Sequence, residues 1–391
     1  MRASLARPMQ PGATATSLLD PAGARVVLGP RPVPEGLEQP IVPAADTLFG
    51  PRGACLASSR GPLFVCDTGH HRLLVWRRAP EVDHGPADLL VGQPDFSSEG
   101  RNGKGPVGPA TLNVPTGVAA ADGVLAVADA WNHRVLIWRG GIERMNQPAD
   151  VIVGQLDRTA ALANRGADRP RADTLNWCYG VAIAQGRLYI SDTGNRRVLV
   201  YDHIPESDGA SADLVLGQAD FVTRDENAGR PAGPVGMRWP HAIAVVGEVL
   251  LISDAGDNRI MGYRGLPSRN GTPCDFVLGQ RDCASVDHNQ ATYLPTASAL
   301  NMPYGLAVQG RTLLVADTAN SRLLGFDIDG LSMGAKATSL TGQRAFTDKG
   351  DNRWSAAKRD SLCWPYAVSI SGTTAVVADS GNNRVLLWER A

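Results

Sequence analysis

Short hydrophobic runs, separated by turns rich in glycine and polar residues, recur along the chain in groups of four. In the third group they are Gly180–Ala184, Arg187–Asp192, Arg197–Tyr201 and Asp213–Gly217. Runs this short and rich in Val, Ile, Leu and Tyr predict strands, and no comparable window shows the period of a helix. The pattern therefore predicts an all-β chain in which each group contributes four antiparallel strands, a to d.

A paired charge marks the end of strand b in every group. An Asp is followed five residues later by an Arg, and successive Asp positions lie 62, 63, 62, 63 and 62 residues apart. The six pairs are Asp67/Arg72, Asp129/Arg134, Asp192/Arg197, Asp254/Arg259, Asp317/Arg322 and Asp379/Arg384. So regular a step over the whole chain indicates six copies of one structural unit.

The order of the segments predicts how the six units close into a ring. The sixth group runs only through its strand c before Ala391, whereas Arg25–Gly29 resembles a strand d and precedes the first complete group. An N-terminal strand d that completes the last blade would leave no open edge in a six-bladed β-propeller. We therefore predict a propeller at residues 25–391 and an N-terminal tail at residues 1–24.

The repeats also resemble a known family. Each has a run ending in Gly, usually Gly-Gln, and a segment similar to L-N-x-P-x-G, and Tyr179–Asp202 reads YGVAIAQGRLYISDTGNRRVLVYD. This segment is similar to the NHL repeat, a family of propeller blades. The resemblance implies either a platform that binds proteins or RNA, or one of a few related lyases and hydrolases. The fold alone does not select among these functions.

The charge balance argues against two classes of partner. The 391 residues include 38 Lys and Arg against 39 Asp and Glu, so no global potential favours nucleic acid or an anionic membrane. No apolar run is long enough to cross a bilayer, and the N-terminus lacks the apolar stretch of a signal peptide. We therefore expect a soluble cytoplasmic protein that binds neither nucleic acid nor a membrane.

The six cysteines show no metal-ligand spacing. Cys55 and Cys66 occupy repeat positions otherwise filled by Ala or Ser, which predicts small core residues. Cys274 and Cys283 flank a predicted strand that would hold them roughly 30 Å apart at about 3.3 Å per residue, too far for a disulfide. No cofactor and no metal are expected.

Most polar motifs have a structural explanation. The Asp–Arg pairs recur in all six units, whereas a catalytic site needs asymmetry, so we interpret them as turn-stabilising ion pairs. His70, His71 and His133 lie in adjacent b–c turns and are the alternative that would allow a metal site. No residue pattern predicts a Ser-His-Asp triad, a P-loop or a dinucleotide fingerprint.

The six units differ at the mouth of the central channel, where strand a begins. The residue before the strand-a glycine varies, and the six are Arg52, Thr116, Tyr179, His241, Tyr304 and Tyr366. Two residues earlier stand Gly50, Val114, Trp177, Trp239, Met302 and Trp364. These positions lie on the face that carries the b–c turns and the long d–a loops, called here the loop-rich face. Aromatic and arginine side chains there are typical of a binding site.

One b–c turn also differs from the others. Trp131 stands in a turn position that is glycine in four of the units, Gly69, Gly194, Gly256 and Gly381. It either packs against the adjacent long loop or anchors a partner. The candidate binding residues are Arg52, Trp131, Trp177, Tyr179, Trp239, His241, Tyr304, Trp364 and Tyr366.

The sequence favours a non-catalytic binding or scaffold protein that docks a protein or a small ligand on the loop-rich face. A lyase or hydrolase acting at the channel mouth is the first alternative, and an RNA-binding NHL domain is the second. The mouth positions include one histidine, His241, and no carboxylate, which makes them a poor metal site.

Overall fold

The computed structural model describes residues 15–31 and 41–391, which form six sheets arranged around a central channel. Blades one to five each contribute strands a to d from consecutive sequence, and neighbouring strands in each blade are antiparallel. The predicted six-bladed propeller is confirmed. In the third blade, strands b and c have the predicted bounds, strand a begins two residues earlier, and strand d is shorter by one residue at each end.

The strands are numbered in chain order. Blade one contains β3 (Gly53–Leu56), β4 (Leu63–Asp67), β5 (Arg72–Trp76) and β6 (Leu89–Val91); blade two contains β7 (Pro115–Ala121), β8 (Val124–Asp129), β9 (Arg134–Arg139) and β10 (Val151–Val153); blade three contains β11 (Cys178–Ala184), β12 (Arg187–Asp192), β13 (Arg197–Tyr201) and β14 (Leu214–Leu216). Blade four contains β15 (Pro240–Val246), β16 (Val249–Asp254), β17 (Arg259–Arg264) and β18 (Phe276–Leu278); blade five contains β19 (Pro303–Gln309), β20 (Thr312–Asp317), β21 (Arg322–Asp327) and β22 (Ser339–Thr341); blade six contains β23 (Pro365–Ser371), β24 (Thr374–Asp379) and β25 (Arg384–Glu389).

Short 3₁₀ turns lie at two recurring places. Five follow strand b directly: Ala130–Asn132, Thr193–Asn195, Ala255–Asp257, Thr318–Asn320 and Ser380–Asn382. Five lie in the d–a loops: Arg101–Lys104, Ala163–Gly166, Glu226–Gly229, His288–Ala291 and Asp351–Trp354, and one more, Ile328–Gly330, follows β21.

An N-terminal strand closes the ring, as predicted. β2 (Val26–Leu28) pairs antiparallel with β25, with Val26 opposite Leu387 and Leu28 opposite Val385. Both Val26 and Leu28 are fully buried. Blade six therefore has four strands, and its outer edge is covered by the other end of the described chain.

The chain packs against the propeller before the predicted boundary at residue 25. β1 (Thr16–Ser17) pairs parallel with β22 and adds a fifth strand to blade five. Leu18 and Leu19 are buried in the core between blades five and six. Residues 15–24 thus bridge these blades rather than forming a tail, because their apolar side chains fill the space between the two sheets. Residues 1–14 of the predicted tail lie outside the described residues.

Apolar side chains between neighbouring blades form the core. Strand c carries an aromatic as its last or second-to-last residue in each blade, and Trp138 and Trp388 are essentially inaccessible to solvent. The Trp138 indole N–H donates to the Gln147 carbonyl oxygen at 3.0 Å, so its one polar group is satisfied. Burying one such side chain contributes about 1.5–3 kcal/mol. The repeated aromatic therefore fixes the spacing of the blades around the channel.

The Asp–Arg ion pairs form as interpreted from sequence, but their other bonds attach each long d–a loop to its blade, whereas the sequence interpretation placed their role in the b–c turn. In every blade the Arg Nε donates to the Asp Oδ2 at 2.7–3.0 Å, and all these groups are buried. In blade three, Asp192 Oδ1 accepts the backbone N–H of Asn176 at 2.7 Å, and Arg197 donates to the Arg171 and Thr174 carbonyl oxygens. These bonds hold the end of the d–a loop where strand a begins, at the channel mouth.

Cys274 and Cys283 lie close together, so the separation expected from sequence is wrong. Their Sγ atoms are 4.0 Å apart, and both thiols are free. The strand between them is only Phe276–Leu278, and the chain turns back after it. Cys55 and Cys66 are buried, as the repeat positions predicted.

Candidate functional site

The variable side chains at the channel mouth contact one another across the axis. The Tyr304 and Tyr366 rings stack at 4.5 Å between centroids with 11° between their planes. His241 lies 4.3 Å from Tyr304 and 5.0 Å from Tyr179, each ring tilted against the next. Four of the six blades thus contribute to one continuous group of rings.

Arg52 completes this group. Its guanidinium carbon lies 4.8 Å from the centre of the Tyr366 ring and 6.0 Å from the centre of the Tyr179 ring. Its Nη1 donates to the Tyr179 hydroxyl at 3.4 Å. Thr116, the sixth mouth residue, is buried, and its hydroxyl donates to the Tyr179 carbonyl oxygen. Arg52 and the four rings therefore form a closed set, called here the mouth ring: Arg52, Tyr179, His241, Tyr304 and Tyr366.

The mouth ring separates two spaces. A cavity of about 330 Å³ follows the inner strands of all six blades and is the central channel. A second space of about 490 Å³, called here the channel-mouth pocket, lies on the loop-rich side of the ring. Its walls are Arg52, Asn176, Trp177, Tyr179, Thr193, Gly194, Arg196, Trp239, His241, Tyr304 and Tyr366.

Two tryptophans line the channel-mouth pocket and remain open to solvent. Trp177 is 47% and Trp239 is 41% exposed. Trp177 has a left-handed backbone, with φ of 51°, and its N–H donates to His133 Nδ1 of the preceding blade at 3.0 Å. A large residue in this conformation is uncommon, so the blade presents an indole where the equivalent residue of blade one is Gly50. Trp364 has the same backbone conformation on blade six and lies outside the pocket lining.

Trp131 extends the exposed aromatic surface beyond the pocket. Its ring stacks on Trp177 at 6.4 Å and 12°, and it is 36% exposed. The Arg101 guanidinium, from the adjacent d–a loop, lies 5.0 Å from its centre. Trp131 therefore packs on the loop beside it and also continues the row of aromatics that leads into the pocket. Neither alternative drawn from the sequence excludes the other.

His241 is a neutral imidazole at physiological pH. Burial lowers the pKa of His241 to about 4, and the Arg52 charge acts in the same direction. Its Nδ1 lies 2.9 Å from the Trp239 carbonyl oxygen, which can only accept, so Nδ1 carries the proton and Nε2 keeps its lone pair. Burial also raises the pKa of the neighbouring Tyr304 hydroxyl. The mouth ring therefore has one fixed charge, on Arg52.

Arg196 is a pocket residue that the sequence interpretation missed. The residues at its turn position in the other blades are His71, His133, Asn258, Ser321 and Asn383. Each of those accepts a backbone N–H from the next blade's loop. Arginine cannot accept, and here the Trp239 N–H donates to Asp254 instead. The sequence does carry a signal for this difference, because Arg196 is the one residue at this turn position whose side chain cannot accept a hydrogen bond.

The histidines considered as metal ligands serve the turns instead. His70 Nδ1 lies 2.8 Å from Asp67 Oδ2, and its ring is buried. His71 Nδ1 accepts the Val114 N–H, and His133 Nδ1 accepts the Trp177 N–H. Burial lowers the pKa of His133 to about 4, which keeps this nitrogen able to accept. Within residues 15–31 and 41–391, no three His, Cys, Asp or Glu side chains are grouped as a metal site.

Comparisons with known proteins agree with this fold. The family model described as NHL repeat matches residues 112–138, which lie in blade two. NHL repeat-containing protein 2 from Gallus gallus is 22% identical over 364 residues, covering 88% of this chain and 47% of the relative. The chain thus spans about half the length of that curated relative. These matches and the six blades confirm the resemblance to NHL-repeat propellers.

Two solved structures share the fold at low identity. Hydrazine synthase from Kuenenia stuttgartiensis is 13% identical with a TM-score of 0.50, covering 92% of this chain and 99% of that chain. A structural genomics protein of unknown function from Bacteroides thetaiotaomicron VPI-5482 is 12% identical with a TM-score of 0.51, covering 97% of this chain and 75% of that chain. In the described part of the chain, no helix has the length and apolar character needed to span a bilayer.

Proposed function

We propose that this propeller is a non-catalytic binding module that docks a protein side chain or a small molecule in the channel-mouth pocket. The observation that carries the proposal is the pair of exposed indoles, Trp177 and Trp239, that line a pocket of about 490 Å³. Large aromatic side chains exposed beside a concavity are the groups that most often dominate binding energies. Pockets of this size accommodate small organic ligands.

The rigidity of the pocket supports the same role. Its floor is the mouth ring, in which each ring contacts the next, and its walls are loops held by the buried Asp–Arg pairs. Trp177 is fixed by its hydrogen bond to His133 and by its stacking on Trp131. A site ordered in advance loses little conformational entropy when a ligand binds.

An enzyme acting at the channel mouth is the second candidate. The observation that favours it is His241, a neutral imidazole whose Nε2 can accept a proton beside Tyr304 and Arg52. General base catalysis needs a group of this kind within hydrogen-bond reach of a substrate proton. Turnover of a pocket ligand by the wild-type protein, lost in His241→Gln, would favour this candidate over the binding module.

Ligand-observed NMR with a library of small organic fragments tests the binding role. We expect hits on the wild-type protein to lose their signal in the double variant Trp177→Ala/Trp239→Ala. The same hits should persist in Trp354→Ala, which removes an indole that is 77% exposed on the same face and outside the pocket lining. Hits that are unaffected by the double variant would contradict the proposed site.

A further inference from the structure

Resting on the binding role proposed above, we propose that the channel-mouth pocket takes a small organic carboxylate, with its anionic group against Arg52 and its apolar body against the tryptophans. The first observation is the charge of the walls. Of the residues that line the pocket, Arg52 and Arg196 carry positive charge and none is Asp or Glu. The whole chain has a net charge of −1, so this positive site is local rather than part of a basic surface.

Arg52 has donors to spare. The one hydrogen bond that its side chain makes to a described residue is the 3.4 Å contact with the Tyr179 hydroxyl, and it belongs to none of the ion pairs among the described residues. By contrast, the arginines of the six Asp–Arg pairs each have a carboxylate within 3.0 Å. An arginine in a half-buried site without a counter-ion is a ready partner for an anion.

The position of Arg52 beside the Tyr366 ring suits a planar anion. Its guanidinium carbon lies 4.8 Å from the centre of the Tyr366 ring, and the N–H groups of a guanidinium lie along the edge of its plane. Carboxylates bind that edge with two parallel hydrogen bonds. Contact with the Tyr366 ring also restricts the guanidinium before any ligand arrives.

Arg196 supplies a second positive charge beside the pocket. Its Nη1 donates to the Arg224 carbonyl oxygen at 3.2 Å, whereas its buried Nε has no hydrogen-bond partner in the part of the chain that is described. Because this Nε has almost no accessible surface, Arg196 contributes to the pocket through its charge rather than through a free donor. Two guanidinium groups from blades one and three thus line one pocket.

The rest of the pocket neither neutralises these charges nor competes for the anion. His241 carries no charge at neutral pH, and the Tyr and Trp side chains are neutral. The volume of about 490 Å³ exceeds what a bare inorganic anion needs and leaves room for an apolar body beside Trp177 and Trp239. The combination therefore selects an organic anion over both a neutral aromatic and a free phosphate.

Isothermal titration calorimetry with matched probes tests this selection. The probes are 3-phenylpropionate, its uncharged amide 3-phenylpropionamide, and inorganic phosphate. We expect the carboxylate to bind about tenfold more tightly than the amide, a difference typical of a charge-assisted hydrogen-bonded pair. Added sodium chloride should weaken the binding of the carboxylate and leave the binding of the amide unchanged. Inorganic phosphate should not compete with the carboxylate.

Variants identify the groups responsible. Arg52→Met keeps the length of the side chain that packs on Tyr366 and should reduce carboxylate affinity to that of the amide, while Arg52→Lys should retain part of the preference. Arg196→Met should lower the same preference by a smaller factor. Arg78→Met removes an exposed charge at the far end of strand c and should change nothing. Thermal unfolding of each variant reports whether the mouth ring stays intact.

The outcomes separate this inference from the binding role itself. Equal affinities for carboxylate and amide, both lost in Trp177→Ala, would overturn the inference and leave the binding role standing. Competition by phosphate at the carboxylate's own affinity would also overturn it, because the apolar body would then contribute nothing. Absence of binding by either organic probe would overturn it as well, and the fragment experiment then decides the binding role independently.

Discussion

Asp257 stands in the b–c turn of blade four at a position that is asparagine in four other blades. Replacing Asp257 with asparagine therefore gives a prediction about stability. In blades two, three, five and six the equivalent residue is an Asn, such as Asn195, whose Nδ2 donates both to Asn164 and to Asp192. In blade four a carboxyl group occupies this buried position. Asp257 Oδ2 and Asn227 Oδ1 have no hydrogen-bond partner among the described residues. A carboxylate cannot donate, so only protonated Asp257 can replace the missing amide.

The groups around Asp257 set its proton affinity. Burial and the adjacent Asp254 charge raise the pKa of Asp257 from its ordinary value of 3.8 to about 6, although Arg259, whose Nη2 lies 3.4 Å away, the Asn227 side chain and Arg238 all favour the ionised form. The folded protein therefore holds a proton between about pH 4 and 6 that the unfolded chain has released. The contribution of Asp257 to the free energy of unfolding therefore falls as the pH rises through this window and is constant above it.

Replacing Asp257 with Asn should therefore stabilise the protein. A shift of about two pKa units corresponds to about 3 kcal/mol, which residual hydration and the Arg259 pair reduce to about 2 kcal/mol at pH 7.5. Urea unfolding of the wild type and of Asp257→Asn between pH 4 and pH 8 measures the difference. The gain should be near zero at pH 4 and reach its full value above pH 7, because only the ionised form is destabilising.

The reciprocal variant is the control for this reasoning. Asn195→Asp places the same carboxyl group in blade three and should introduce a loss of stability that grows over the same pH window. A destabilised Asp257→Asn protein, or a difference between Asp257→Asn and wild type that does not change with pH, would refute the account.

Three further predictions concern the fold. Deleting residues 1–29 removes β2 and the buried Leu19 and exposes the edge of β25. We therefore expect differential scanning calorimetry to show a lower Tm, whereas an unchanged Tm would show that the strand is dispensable. Gly180→Ala would place a Cβ against the His241 carbonyl oxygen, so we expect its Tm to fall by several degrees, whereas Gly330→Ala, with open space around it, should have no effect. Diamide should oxidise Cys274 and Cys283 to an intramolecular disulfide. Mass spectrometry should detect the loss of two hydrogens in the wild type and not in Cys283→Ser. The oxidation should be slow at neutral pH, because burial raises the pKa of Cys274 to about 12.

Most of the fold was predictable because blade packing repeats. The Asp–Arg step marks the end of strand b and the start of strand c in every blade, and the structure confirms it at Asp192 and Arg197. The N-terminal strand was predictable because a propeller with an incomplete last blade needs one. The bridging role of residues 15–24 was not, because two strand residues and two leucines carry no periodic signal.

The candidate site was predictable as a set of positions at the channel mouth, but the geometry of its side chains was not. Repeat alignment places the variable residues at the channel mouth, whereas the direction of each side chain decides that Arg52 and the four rings contact one another. The left-handed conformation of Trp177 follows from a hydrogen bond between blades, which no single repeat reveals. Cys274 and Cys283 show the same limit, because their approach depends on a turn rather than on the strand between them.

A crystal structure of the protein soaked with 3-phenylpropionate tests the binding role most directly. We expect density for the ligand in the channel-mouth pocket, with its carboxylate at hydrogen-bond distance from Arg52 and its ring against Trp177 or Trp239. The same soak of Trp177→Ala/Trp239→Ala should leave the pocket without the ligand. Ligand density on another surface with this pocket empty, or unchanged density in the double variant, would contradict the account.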